Sequence, residues 1–365
     1  MKKILITGGA VHAHLDAVKI VTNKFRGGLM ASLGEDLITR SEVHYICSSD
    51  LGAKVPESGA CALYEHRGIA DYKRLVLQLA PQMDAVILGA AVANLIPAKP
   101  FEGKFPSHNY KPGDFINIPF MIAPRVIDEV KKVASKTHLF GFKLLDGAPH
   151  EELIRAAYDI VLASGATAVF ANDAHDLNHV EAVTKERAVH PIKRAKLADW
   201  IWEMVNDEYY YTAYADESLE TPMFLARKEN LQRIIASHEH EFSANENGIR
   251  FGTAAVRYGS GFLTTSRGKR ELDQVVHVLS VDHEKREVVV NEGIKATLNA
   301  PLLDKLFQNH NIRFIVHYHR QQDGMPTYPY APAGTVRDTN RPNHTSFNIA
   351  GHGCMLLFAA DGRRL

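Results

Sequence analysis

Disulfide chemistry is the first thing this sequence lacks. Its three cysteines, Cys47, Cys61 and Cys354, are odd in number and far apart, so no disulfide framework is implied and the cytoplasm is the expected compartment. A surplus of charge is also missing, because 42 basic side chains balance 42 acidic ones. That argues against a general nucleic-acid binder, which needs a basic excess. Long apolar runs are absent as well. The longest, Val86–Ala98, is broken by Asn94 and Pro97 and is too short to span a bilayer, so no membrane association is expected. Met1-Lys2-Lys3 is followed by only Ile4-Leu5-Ile6 before Thr7-Gly8-Gly9, which does not read as a signal peptide. Internal repeats and low-complexity tracts are lacking too.

What is present is a chain of 365 residues with 45% apolar and 23% charged side chains, enough for a real core. At roughly 100–200 residues per domain, two domains are expected. Lys3–Thr7, Glu42–Cys47, Asp84–Leu88, Thr137–Phe142 and Ala168–Ala171 are short apolar runs that read as strands, while Ala70–Leu79, Ala123–Val133 and Glu151–Ala163 have helical spacing. This alternation predicts βαβ units around a buried parallel sheet, closed by an amphipathic helix over Lys193–Val205. The charged stretch from Glu181 to Arg194 reads as a solvated face. Residues 206–221 are acidic and tyrosine-rich, a linker or an exposed strand, and they set the expected domains at 1–206 and 222–365 with a linker at 207–221. Beyond them, Leu225–Ser237 and Leu302–Gln308 read as helices. Gly252–Thr265, Val275–Asp282, Glu287–Asn291 and Ile312–His319 read as strands, giving α+β character with an antiparallel flavour.

Several short motifs carry chemistry in the first half. Ile4 to Gly9 is a strand running into two glycines, either a phosphate-approaching turn or a plain tight turn. Gly89-Ala90-Ala91 leaves room for a ligand at a strand end, or for close helix packing. His12 and His14 stand beside the glycine turn, within reach of a phosphate or as simple loop residues. The ordered set Gly8-Gly9, Leu15-Asp16, Val18-Lys19, Asn23, Gly27-Gly28, Ala90–Asn94, Lys104, Gly141-Phe142 and Ala171-Asn172-Asp173 resembles phosphopantothenoylcysteine synthetase, of the DNA/pantothenate metabolism flavoprotein family, over roughly residues 2–205. The resemblance implies an acid–amine ligase of coenzyme A biosynthesis. CTP or ATP, with Mg²⁺, is attacked at its α-phosphate by a carboxylate, and an amine then displaces the nucleotide from the acyl-nucleotide. On this resemblance Asn23 holds the acyl-nucleotide and Lys104 supplies the cation for the triphosphate. Gly8, Gly9, Ala90, Asn94, Gly141, Phe142, Asn172 and Asp173 surround the nucleotide. Lys193, Arg194 and Lys196 fall where the family places basic residues near it.

The first half departs from the family in three places. Asn94 replaces an acidic residue, Phe25-Arg26-Gly27 replaces Ser-Ser-Gly, and Lys19 replaces an arginine, keeping its charge but losing the planar fork. Arg26 is able to bind a phosphate or carboxylate bidentately.

In the second half, Phe314 to His319 is an apolar strand with histidines at 317 and 319, which alternation places on one face. Such a pair is a surface or core feature, or grips a metal if a third ligand arrives; His352, between Gly351 and Gly353, is the candidate third. Gly252–Arg257, Gly261–Gly268, Ile315–His319, Tyr328–Thr335 and His352-Gly353 together resemble the class II aldolase and adducin fold over roughly residues 222–360. The resemblance implies Zn²⁺ on His317, His319 and His352, polarising a carbonyl. The family's catalytic glutamate is missing from Ala296-Thr297-Leu298-Asn299, and Ala254-Ala255 replaces the asparagine of the phosphate pocket. An amide cannot abstract a proton as a carboxylate does.

The expected fold class is α/β: a Rossmann-like parallel-sheet domain followed by an α+β class II aldolase/adducin-like domain. The expected function is nucleotide-dependent ligation of a small carboxylic acid to an amine by a homo-oligomer. The alternatives are a zinc-dependent lyase or epimerase and a non-catalytic nucleotide-binding scaffold.

Overall fold

A computed structural model describes residues 1–215, 221–245, 247–291, 293–342 and 344–365; the side chain of Leu177 is outside the description. The chain divides into two compact units, Met1–Val205 and Asn206–Leu365. Residues 216–220 of the stretch expected as a linker lie outside the described residues.

In the first unit the strands of the main sheet are β1 (Lys3–Thr7), β2 (Glu42–Cys47), β3 (Ala62–Glu65) and β4 (Ala85–Leu88), and a separate ribbon is formed by β5 (Leu95–Pro97) and β6 (Phe120–Ile122). The main sheet continues with β7 (His138–Leu145), β8 (Ala168–Asp173), β9 (Asp176–Thr184) and β10 (Val189–Lys193). Its order is β10-β9-β8-β7-β4-β1-β2-β3. The six strands from β3 to β8 are parallel, and β9 and β10 add an antiparallel edge. The sheet is therefore mixed, which corrects the expectation of an all-parallel one. Within residues 181–194, expected as a solvated face, 181–184 and 189–193 are ladder strands joined by a turn, and Ala182, Val183 and Ile192 are buried beneath their charged neighbours. Alternation, not overall polarity, was the signal there.

The helices are α1 (Gly28–Ile38), α2 (Ile69–Leu79), α3 (Ile127–Val133), α4 (His150–Ser164) and α5 (Leu197–Asn206). α3 begins later than its apolar pattern because Pro124 disfavours a helical residue before it, and α5 starts after a tight turn over Arg194–Lys196. Central strands are buried on both faces: Ile4, Leu5, Ile6, Val86, Ile87, Leu139 and Phe140 are fully buried, as continuous apolar runs in a covered sheet require. Trp200 on α5 meets Phe140 and Phe170 edge-on at 6.4 and 5.6 Å, which accounts for it as core packing.

In the second unit β11 (Tyr211–Ala215), within the residues expected as linker, is an edge strand. It is followed by α6 (Pro222–Ser237), β12 (Thr253–Tyr258), β13 (Gly261–Thr265), β14 (Val275–Asp282), β15 (Glu287–Asn291), α7 (Ala300–Phe307), β16 (Phe314–Tyr318), β17 (Thr327–Tyr328), β18 (Phe347–Ile349) and β19 (Gly353–Phe358). The nine strands form one mostly antiparallel sheet, ordered β11-β15-β14-β13-β12-β16-β19-β18-β17. α6 lays Leu231, Ile234 and Ile235 on Ala254, Val256, Leu263 and Val316 of that sheet.

Candidate active-site cleft and metal centre

Strand order places the first site. The chain leaves β1 for β2 and β3 on one side, then returns to β4 on the other. The carboxyl ends of β1 and β4 flank this switch point, where open α/β sheets leave a crevice. Thr7 at the end of β1 has its hydroxyl 3.1 Å from the buried Tyr72 hydroxyl on α2 and accepts the Ala90 amide at 3.2 Å. That fixes the turn after β4. Burial pushes the Tyr72 phenol up to about 12, so it stays protonated.

A cleft of about 710 Å³ opens there, lined among others by Asn23, Ala90, Asn94, Phe142 and Asn172. Asn23 crosses the opening, donating from Nδ2 to the Ala91 carbonyl at 3.1 Å. Asn172 donates to the Phe170 carbonyl at 3.0 Å, while its Oδ1 is buried without a hydrogen-bond partner among the described residues. A buried unmet acceptor on a cleft wall suits a ligand donor such as an exocyclic amine or a sugar hydroxyl.

α1 points its amino end at this space. Gly27, in the left-handed region at φ 77°, precedes the helix, and the first intrahelical bond runs from the Ala31 amide to the Gly27 carbonyl. The amides of Gly28, Leu29 and Met30 therefore carry no intrahelical bond, and all three residues line the cleft. Arg26, Lys143 and Arg194 line it too, and no carboxylate of the described residues does. Arg26 and Arg194 were visible in the sequence as cations near a nucleotide. Lys143 was missed, and its place directly after the Gly141-Phe142 pair was the available signal.

Other expected residues lie elsewhere. Gly8 and Gly9 are absent from the cleft lining: a β-carbon on Gly8 would fall 1.9 Å from the Tyr45 hydroxyl, and one on Gly9, at φ 78°, 2.7 Å from Ala53, so close packing requires both glycines. Gly141 is likewise pressed against Ile127, at 2.5 Å. Asp173 accepts the amides of Gly147 and His175, closing its own loop. Lys104 is exposed and absent from the cleft lining. Its neighbour is nonetheless tethered, because the Asp16 carboxylate accepts the amides of Val18, Lys19 and Phe105. Those donors, the Lys19 amide foremost and then that of Phe105, hold the Asp16 carboxyl well below the usual range.

The second unit holds three imidazoles, on His317, His319 and His352, whose ligand atoms all lie within 4.8 Å of one another. They form the one such group of potential metal ligands among the described residues. His317 is on β16, and its Nδ1 donates to the Cys354 carbonyl on β19 at 2.8 Å. Its Nε2 is buried with no hydrogen-bond partner among the described residues. Burial pulls the His317 pKa down to about 4, keeping the ring neutral and its lone pair available. His319 stacks on Phe251 at 4.9 Å. Gly353 is needed beside His352, since a β-carbon there would lie 2.1 Å from the Tyr318 carbonyl.

Asn299 donates to the Thr253 hydroxyl at 3.2 Å, and Thr253 sits directly across the ladder from His317. An amide therefore stands beside the histidine strand, and the segment Ala296–Asn299 carries no carboxylate. The donor set, three imidazole nitrogens with one orphaned lone pair, fits zinc in chemistry and in spacing.

Among known proteins, the bifunctional coenzyme A biosynthesis protein CoaBC of Thermococcus kodakarensis is 24% identical over 220 residues, 56% of this chain and 51% of that protein. The chain thus spans about half the length of this curated relative. The DNA/pantothenate metabolism flavoprotein of Streptococcus pneumoniae superposes with a TM-score of 0.49 at 20% identity, covering 56% of this chain and 97% of that one. An L-fuculose-1-phosphate aldolase of Thermus thermophilus gives a TM-score of 0.25 at 18% identity over 38% of this chain and 80% of its own. Residues 1–208 match the model of the DNA/pantothenate metabolism flavoprotein C-terminal domain, and on that match the chain belongs to this family.

Proposed function

We propose that the protein is a nucleotide-dependent acid–amine ligase resembling phosphopantothenate–cysteine ligase, working through an acyl-nucleotide in the cleft of the first unit. The observation that carries this reading is the cleft wall itself, with three cations, helix-end amides that carry no intrahelical bond and, among the described residues, no carboxylate around Asn23. Such a wall favours a polyanion. The amides of Gly28, Leu29 and Met30, with Arg26 and Arg194, hold the phosphates; Asn172 and Phe142 take the base and ribose; Asn23 donates to the acyl group. Mg²⁺, brought with CTP or ATP, screens the triphosphate. Lys104 serves the leaving pyrophosphate when the segment tethered by Asp16 folds over the opening.

The test is pyrophosphate release on incubation with CTP or ATP, Mg²⁺, phosphopantothenate and cysteine. Release that is lost in Asn23→Ala supports the reading; no release with either nucleotide overturns it.

A second reading belongs to the second unit. The orphaned Nε2 of His317 favours a metal, and His317, His319 and His352 would hold Zn²⁺, which supplies carbonyl polarisation when bound. With Asn299 where a base would stand, a lyase or epimerase there needs a base from elsewhere. The fold analogy for this unit, class II aldolase-like, is part of the proposal. So is self-association: the β5–β6 ribbon exposes Leu95, Phe120, Met121 and Ile122, and Phe115 beside it is 96% exposed. Apolar surface of this kind on both sides of a two-stranded ribbon favours a second copy of the chain as its cover.

A further inference from the structure

The second unit buries a cation without a counter-charge. Lys269 lies in the turn that follows β13 and is 4% exposed. Its ammonium donates to the Gly252 carbonyl, and it makes no ion pair among the described residues. Burial pulls its pKa down to about 8, so the side chain still carries its charge at neutral pH. An ammonium held out of water in this way favours an anion beside it.

Gly252 ties Lys269 to the histidine cluster. The carbonyl that Lys269 meets belongs to the peptide joining Gly252 to Thr253, and Thr253 is the ladder partner of His317 between β12 and β16. Directly opposed residues of an antiparallel pair point to the same face, so the side chains of Thr253 and His317 share one. Gly252, at φ 95°, is packed so closely that a β-carbon there would lie 2.9 Å from the His317 carbonyl oxygen. Burial is the main depressor of the His317 pKa, and the nearby charges of Lys269 and Arg341 add to it.

Of those two charges, only that of Lys269 is unbalanced. Arg341 pairs with Asp338 at 2.8 Å, with side chains 3% and 2% exposed. Thr253, Thr297 and Asn299 are neutral and bond to one another, at 2.8 Å between the two hydroxyls and 3.2 Å from the Asn299 amide to Thr253. Imidazoles ligate a metal only in the neutral form, so a divalent ion on the cluster leaves the site more positive still. Three imidazoles also leave a tetrahedral ion one position for an outside ligand.

The donors present select the kind of anion. Of the three N–H bonds of Lys269, one goes to Gly252 and two are left. Phosphate is held by an arginine fork or by several amides at a helix end. Arg267, in the same turn, gives its Nε to the Ala296 carbonyl, and the Ser266 hydroxyl is spent on Gln274. One ammonium with two N–H bonds to offer matches one carboxylate.

We propose that Lys269 and the histidine cluster form one binding site for a small 2-hydroxy or 2-oxo carboxylic acid, its carboxylate pairing with Lys269 and the oxygen on its neighbouring carbon directed to His317, His319 and His352. The proposal rests on the metal reading of the second unit and adds the class of its ligand. His319, half-buried where the other two histidines are buried, marks the side of the cluster nearer to solvent. Binding of this kind asks for no base, so the amide at Asn299 does not oppose it.

The test is calorimetric titration of the zinc-loaded, full-length protein with glycolate, with glycolamide as its uncharged counterpart and glycolaldehyde phosphate as the phosphate-bearing one. Glycolate should bind at least about tenfold more tightly than glycolamide, because a charge-assisted hydrogen bond in a buried site is worth that much or more. Glycolaldehyde phosphate should bind more weakly than glycolate. Lys269→Met should keep the parent's zinc content and bind glycolate no better than glycolamide. With Co²⁺ in place of zinc, glycolate should shift the visible absorption of the parent. Equal affinity of the parent for glycolate and glycolamide overturns the proposal, and so does tighter binding of glycolaldehyde phosphate; neither comparison depends on a variant folding. Undiminished glycolate affinity in a zinc-loaded Lys269→Met overturns it as well. A parent that takes up no zinc overturns the metal reading instead, so the two failures are distinct.

Discussion

Gly27→Ala tests whether the amino end of α1 depends on a contact between two backbones. A β-carbon at Gly27 would lie 2.2 Å from the Gly9 nitrogen and 2.9 Å from the Gly9 Cα, and the residue has φ 77°. The left-handed conformation costs a residue with a β-carbon about 1–2 kcal/mol. The clash cannot be relieved by rotating a side chain, because the atoms it meets are main chain, and overpacking of this kind costs about 1–3 kcal/mol. Together these give about 2–5 kcal/mol, or a fall in Tm on the order of 10 °C for a unit of this size. Gly28→Ala is the control. It lines the same cleft, but its added carbon would meet only Lys54 Cδ at 3.7 Å. An alanine in the first turn gains about 0.5–1 kcal/mol over glycine, so Tm should hold or rise. Thermal melts of both variants, followed by calorimetric titration with CTP and ATP, check the pair. Gly27→Ala should lose nucleotide affinity because the helix-end amides move away from Gly9. Melting within 2 °C of the parent at Gly27→Ala, or an equal loss at both positions, would refute the reasoning (roughly 2 °C being the shift expected of about 0.5–1 kcal/mol).

Three further outcomes are expected. The purified protein should carry zinc at about one equivalent, and His317→Ala should remove it while leaving pyrophosphate release intact; metal analysis of both proteins checks this. Asp16 has a folded pKa below its unfolded value of about 3.9, so its contribution is present above that pH and lost as the pH falls toward the folded value. Acid unfolding curves for the parent should therefore drop more steeply below about pH 4 than those of Asp16→Asn, and parallel curves would remove the argument. Ile122→Glu should convert the assembled form to monomer in sedimentation, without lowering Tm by more than a few degrees, since the residue is 71% exposed.

Most of the framework was readable because burial imposes a period on sequence. β1, β2, β14 and β15 lie at the bounds that their apolar runs suggested, and the shift from βαβ alternation to short strands separated by turns marked a change of architecture near residue 206. The antiparallel edge β9–β10 was not readable from overall polarity. Edge strands carry charge on the outward face, and only pairing reveals which alternate residues are core. The cleft was partly legible. Asn23, Ala90, Asn94, Phe142 and Asn172 are far apart in sequence and line one cleft, whereas the glycines at 8, 9 and 141 are not in its lining and stand where a β-carbon would meet Tyr45, Ala53 and Ile127. A motif shows that a glycine is required without showing which neighbour requires it.

By itself, then, the sequence determined the central strands, the main helices and the family of the first half, because hydrophobic periodicity and ordered motifs are local properties of the chain. Only the tertiary structure decided which cations face one space, that Lys269 bonds to the peptide beside the ladder partner of His317, and that His352 comes within reach of His317 and His319. Those facts depend on strand order and side-chain direction across residues distant in the chain, and no local pattern encodes a distance between them.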